Sequence, residues 1–151
     1  MDAQLTSNEI NTWREILYDY SPAQEALTEL ERHNGKVETA FEDLWVHKHG
    51  RGFMQQKKSF WQVTLKVLRE EVCGDDGFRG QVSEYTKNPG STPLLTGAIV
   101  SLVGIAGANG LPLDPAIATI VVLYILKIGV NIFCEYTQPA AEASANPTSG
   151  S

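Results

Sequence analysis

Residues 94–134 carry only two charged side chains, Asp114 and Lys127, and that stretch decides what the rest of the chain must do. Its first arm, LLTGAIVSLVGIAGA, has no charge at all. NGLPLDP then reads as a turn, with Asp114 placed to cap a second helix and Pro115 to open it. The second arm, AIATIVVLYILKIGVNIFCEY, is apolar on every side except at Lys127 and Asn131 and is expected to run as a single helix. A helix apolar all round lies either in a membrane or at the centre of a core.

Length leaves both outcomes open. Crossing the hydrocarbon takes about twenty residues, which the second arm just reaches and residues 94–111 nearly do. Lys127 is costly in lipid unless it snorkels or pairs. Gly97, Ser101, Gly104 and Ala108 step by three and four along one stripe. Small residues in that pattern let helices approach closely, in lipid or in a bundle. The hairpin at 94–134 is therefore expected either to contact a membrane or to be buried, with a second copy of the chain as one source of cover. In the buried case Lys127 and Asn131 need partners.

The first fifty residues differ in kind. Thr6-Ser7-Asn8-Glu9 fits a capping box, after which Ile10, Trp13, Leu17 and Tyr20 recur at helical spacing and predict a helix over 7–19. Ser21-Pro22 restarts the chain, with Ser21 as cap. Ala23, Ala26, Leu27 and Leu30 form the next stripe, which His33-Asn34-Gly35 ends. Val37, Ala40, Phe41, Leu44 and Trp45 make a third stripe, stopped at Gly50. Three short amphipathic helices bury their stripes most simply as a three-helix bundle, with a core that is small on its own.

The pattern in ALTELERHNGKVETAFEDLW, through Ala26, Leu27, Asn34, Gly35, Val37, Glu38 and Ala40, resembles the second and third helices of the ubiquitin-associated (UBA-like) fold. That superfamily includes the N-terminal module of elongation factor Ts and the tail of the nascent-polypeptide-associated complex. The resemblance covers residues 5–49, with Lys36 where Asp or Asn is usual. It implies a small module that docks onto another protein. Ubiquitin-binding members carry a Met-Gly-Phe or Met-Gly-Tyr loop, whereas this chain has Tyr18-Asp19-Tyr20-Ser21 there. Tyr18, Tyr20, Leu44 and Trp45 are the candidate partner-contact residues, because aromatic anchors carry binding energy disproportionately.

Residues 50–58, with two glycines and a basic run, are expected to be a hinge, and residues 59–137 a helical region. SFWQVTLKVLREEV reads as an amphipathic helix from Ser59, and residues 78–87 as a short helix before the breaker cluster NPGSTP. Residues 138–151 are small, polar and proline-containing, and are expected to be disordered.

Charge and chemistry narrow the function classes. Residues 1–50 carry four Lys/Arg against ten Asp/Glu, which argues against a nucleic-acid partner. Residues 51–72 carry five against two, a basic block read mainly as a solvated linker. The N-terminus MDAQLTSNEINTW has no signal pattern, and Cys73 and Cys134 lie outside any CxxC spacing. A cytoplasmic setting with two free thiols is expected. No metal or cofactor is expected. His47 and His49, two apart, do not face each other on a helix, and Asp75-Asp76 lacks the ligand alternation of a calcium loop. The glycines of VGIAGANG lack the Lys-Ser/Thr of a phosphate loop. No catalytic residue is assigned, since Cys73 has no histidine motif near it and Glu38, Glu42 and Asp43 look like an acidic helix face.

The expected molecule is all-α: a UBA-like three-helix bundle, an amphipathic helix and an apolar helical hairpin. The leading expectation is a non-enzymatic adaptor, whose 5–49 module docks a protein while the hairpin anchors to a membrane or oligomerises. A small membrane-active effector and a soluble signalling domain with a buried hairpin are the alternatives.

Overall fold

A computed structural model describes residues 3–50, 60–74 and 76–136. The expected hinge beyond residue 50 and the tail from 138 lie outside the described residues. The fold is all-α. Among the described residues eight helices follow one another: α1 Ser7–Ile16, α2 Ser21–Arg32, α3 Val37–His49, α4 Phe60–Gly74, α5 Asp76–Lys87, α6 Thr92–Ala108, α7 Pro115–Ile128 and α8 Val130–Tyr136. Among the described residues β pairing is limited to one isolated antiparallel bridge, Gln4 with Lys36.

Local chemistry sets most of the helix starts. Thr6 Oγ1 accepts from the Glu9 N–H at 3.1 Å and Glu9 Oε1 accepts from the Thr6 N–H at 2.8 Å, completing the capping box of α1. Asp114 Oδ1 accepts from the Ile117 N–H at 2.8 Å and caps α7 ahead of Pro115. Ser91 caps α6 in the same way. Ser21 is already helical, and the cap position of α2 falls on Tyr20, which makes no side-chain bond there. The first turn of α4 takes its acceptor from another helix, with the Trp61 N–H donating to Glu42 Oε2 at 2.6 Å.

The turn between α2 and α3 needs its glycine. Asn34 and Gly35 take φ of 57° and 82° in succession. The residues before α1 run against this turn, with the Leu5 N–H donating to Gly35 O at 2.8 Å and the Val37 N–H to Ala3 O at 3.0 Å. A Cβ on Gly35 would sit 1.9 Å from Leu5 O, so no other residue fits there.

α7 is the axis of the molecule. It packs against α2, α3 and α6, and α8 folds back beside it. Ten consecutive residues, 116 to 125, are buried, and each large aliphatic among them contributes about 1.5–3 kcal/mol by leaving water. The apolar arm is therefore core, and its burial needs the first fifty residues: α2 and α3 pack on α7, and Ala23, Ala26, Leu27, Leu30 and Phe41 belong to the same buried cluster. Among the described residues no helix is long and apolar enough to cross a membrane. The expected single helix through residue 136 is corrected, because Gly129 at φ 92° ends α7 and α8 begins one residue later. Lys127 and Asn131 have the partners that burial of the hairpin calls for. Lys127 Nζ reaches both Glu9 carboxylate oxygens at 2.9 Å, and Arg79 Nη2 donates to Asn131 Oδ1 at 3.0 Å.

A run of rings crosses the interior. Phe41 on α3 meets Trp61 on α4 edge-on at 5.0 Å between centroids, Trp61 meets Tyr124 on α7 at 4.8 Å, and Tyr124 meets Phe133 on α8 at 6.2 Å. Lys48 ties three elements together, with Nζ at 2.9 Å from Glu25 on α2 and 3.0 Å from Asp114 at the head of α7. Those two hydrogen bonds, Glu25 first and then Asp114, hold the ammonium above its ordinary pKa.

The expected free thiols are also corrected. Cys73 and Cys134, 61 residues apart, form a disulfide that clamps α8 to α4. Cross-linking a loop of this length removes unfolded-state entropy equivalent to about 4 kcal/mol in the chain-entropy account.

Candidate functional site

Two places on the surface bring chemistry together. The first is the turn between α1 and α2. Leu17 follows the last residue of α1 and is fully buried, which fixes the turn to the core. Gln24 fastens it from the other side, its Nε2 donating to Leu17 O at 2.9 Å and Arg14 O at 3.2 Å. The Tyr20 N–H donates to Leu17 O at 3.0 Å. Held in this way, Tyr18 points out and stays 74 % exposed, the largest apolar side chain so displayed among the described residues. Glu15 and Asp19 stand on either side of it in sequence, both exposed. Tyr20 is half-buried, and its phenol is pushed up, first by burial and then by the Asp114 carboxylate.

Leu44 and Trp45 are not part of this surface. They are 1 % and 2 % exposed, so the expected aromatic patch of four residues is corrected to Tyr18 with the rim of Tyr20. Trp45 stacks on Phe60 at 4.9 Å and on Phe41 at 5.9 Å, and its own helix carries His49 against it at 4.6 Å. The stripe on α3 was visible in the sequence. That Leu44 and Trp45 would be buried, Trp45 against Phe60 of α4, depended on tertiary packing that no spacing on α3 reports.

The second place is an open groove of about 540 Å³ between α2 and α3, bordered by Glu25, Glu29, Arg32, Asp43 and His47. At its edge Glu29, His33 and Asp43 converge, with one donor atom from each within 4.8 Å of the others. His33 Nε2 lies 3.1 Å from Asp43 Oδ2. Glu29 is 6 % exposed, and Arg32 donates to it at 2.7 Å from a side chain that is mostly in solvent. Glu29 and His33 stand four apart on one face, a spacing legible in the sequence. The third member comes from across the turn, and only the fold supplies it.

Comparison with known proteins finds no match: no family model, no curated protein and no solved structure aligns with this chain.

Proposed function

We propose that this chain is a non-enzymatic binding domain that docks a basic segment of a partner protein on the turn between α1 and α2. The observation that carries this reading is Tyr18, 74 % exposed on a turn pinned by Leu17 and Gln24. A tyrosine ring has few rotamers to lose, and on a turn whose backbone is pinned it offers a large contact at low entropic cost. Glu15 and Asp19 beside it favour Arg or Lys in the partner, which can also lie on the ring face. The resemblance of residues 5–49 to UBA-like modules supports a docking role, while the tyrosine pair in place of the Met-Gly loop favours a ligand other than ubiquitin.

The acidic first fifty residues weigh against nucleic acid. Enclosure of α7 by α2, α3 and α6 favours the reading of the hairpin as core over that of an anchor or a membrane-active element. Disulfides persist in oxidising compartments, so the partner is to be sought there as well as in the cytoplasm.

Peptide display against the full-length chain, counter-selected on Tyr18→Ala, tests the reading. Arg- and Lys-rich peptides should be enriched, and Glu15→Lys with Asp19→Lys should abolish their binding. Enrichment of acidic or uncharged peptides, or binding indifferent to both sets of substitutions, would overturn it.

A further inference from the structure

We infer that Glu29, His33 and Asp43 form a binding site for a divalent transition-metal ion, with zinc as the ion whose chemistry fits best. The site is separate from the α1–α2 turn and does not rest on the function proposed there. Its donors come from two helices. Glu29 lies in the last turn of α2, His33 is the residue that caps the end of that helix, and Asp43 faces them from α3. One edge of the triangle is already formed, His33 Nε2 to Asp43 Oδ2 at 3.1 Å. Bonds of about 2.0–2.2 Å at tetrahedral angles place ligand atoms about 3.3 Å apart. With all three atoms within 4.8 Å, closure onto a metal takes at most roughly 1.5 Å, a rotation of carboxylate side chains.

Charge and donor type choose the ion. Two carboxylates and a neutral imidazole balance a dication. An imidazole nitrogen favours first-row transition metals over magnesium and calcium, and three protein donors fall short of the six to eight oxygens that calcium takes. Water completes the fourth position from the open side of the groove. When the ion binds, His33 ligates as the neutral imidazole, through Nε2 and with its one ring proton on Nδ1, and gives up its hydrogen bond to Asp43.

Arg32 explains how the site stands without metal. A carboxylate as buried as that of Glu29 needs a cation, and Arg32 supplies one from a side chain that is 66 % exposed. The same guanidinium can swing into water and leave Glu29 to the metal. Arg32 is thus a competitor for the site, and its removal separates a metal centre from a plain ion-pair network.

Titration calorimetry of the full-length chain with zinc chloride tests the inference. One zinc per chain should bind, and His33→Gln and Asp43→Asn should each weaken binding by at least about tenfold. Both residues are partly or largely exposed, so these variants should keep the helical circular dichroism of the parent. Arg32→Gln should bind zinc as tightly as the parent or more tightly. Absence of binding at millimolar zinc would overturn the proposal. So would binding that persists in both ligand variants, which would place the ion at His47 or His49, or binding that weakens in Arg32→Gln.

Discussion

α6 and α7 look alike as sequences and live in different surroundings. Neither has an acidic residue, and α6 has no charge of any kind. Yet α7 buries residues 116 to 125 without a break, whereas α6 buries only Leu95, Ala98, Ile99, Leu102 and Ala106. Its outer face shows Gly97, Val100, Gly104, Gly107 and Ala108 to solvent. The difference lies in side-chain size. β-branched and large residues surround the whole circumference of α7, so leaving any side wet would forfeit apolar burial. The outer face of α6 is mostly glycine and alanine, which present little apolar area, and its exposure costs little. All-round apolarity by itself therefore does not say that a helix is enclosed; bulk on every side does.

The sharpest way to break the comparison is to truncate one residue from each helix. Ile120 on α7 is fully buried, and Ile120→Ala should cost about 2–5 kcal/mol in urea unfolding. Val100 on α6 is 57 % exposed, and Val100→Ala should change stability by no more than about 0.5 kcal/mol. Similar losses at the two positions would mean that the outer face of α6 is covered in solution.

What could be foreseen follows the range over which each signal acts. The capping box at Thr6 and Glu9, the Asp114 cap with Pro115, and the Asn34-Gly35 stop are local chemistry, and each stands where its residues indicate. The all-α class follows from the same helical periodicities. Gly129 was equally local, but a continuous apolar pattern on both sides of it masked a break that its positive φ makes plain. Pairing over long distances was not legible. Nothing near Cys73 points to Cys134, and nothing on α3 reveals that Leu44 and Trp45 are buried, Trp45 against Phe60 of α4. For the candidate sites, Tyr18 was named from the sequence as an aromatic anchor, but within a helix expected to reach residue 19, whereas α1 ends at Ile16 and leaves Tyr18 on the turn. The Glu29–His33–Asp43 cluster was half visible as an i, i+4 pair, and its third donor waited on the turn that brings α3 alongside α2.

A smaller effect of opposite sign sharpens the same contrast. Gly104 sits inside α6 and, beyond its chain neighbours and the backbone of its own helix, nothing lies within 4 Å of where a Cβ would stand. Glycine in a helix interior costs about 0.5–1 kcal/mol relative to alanine. Gly104→Ala should therefore raise stability by about that amount, read as a higher denaturant midpoint with an unchanged slope. A lower midpoint would show that the added methyl meets a neighbour, and chain concentration would then have to be varied to find out whether that neighbour is a second copy.

The smallest effect concerns the one basic residue of α7. Lys127 leaves the apolar stripe to meet Glu9, whose carboxylate also closes the capping box of α1, so one side chain serves both ends of the chain. Partial burial pushes the Glu9 carboxyl up, but the Thr6 N–H and the Lys127 ammonium outweigh it and hold its pKa below the ordinary value. Each side chain is roughly a third exposed, so solvent screens the pair and its coupling energy should be only about 0.2–1 kcal/mol. A double-mutant cycle with Glu9→Gln and Lys127→Met measures it. Because the folded pKa lies below the unfolded value of about 4.3, the stabilisation is fully present above that pH. It fades as the pH falls through the folded value. The cycle should therefore give its full coupling at pH 7 and a smaller one at pH 2. A coupling unchanged at pH 2 would show that Lys127 is held by its methylene packing instead of by the carboxylate.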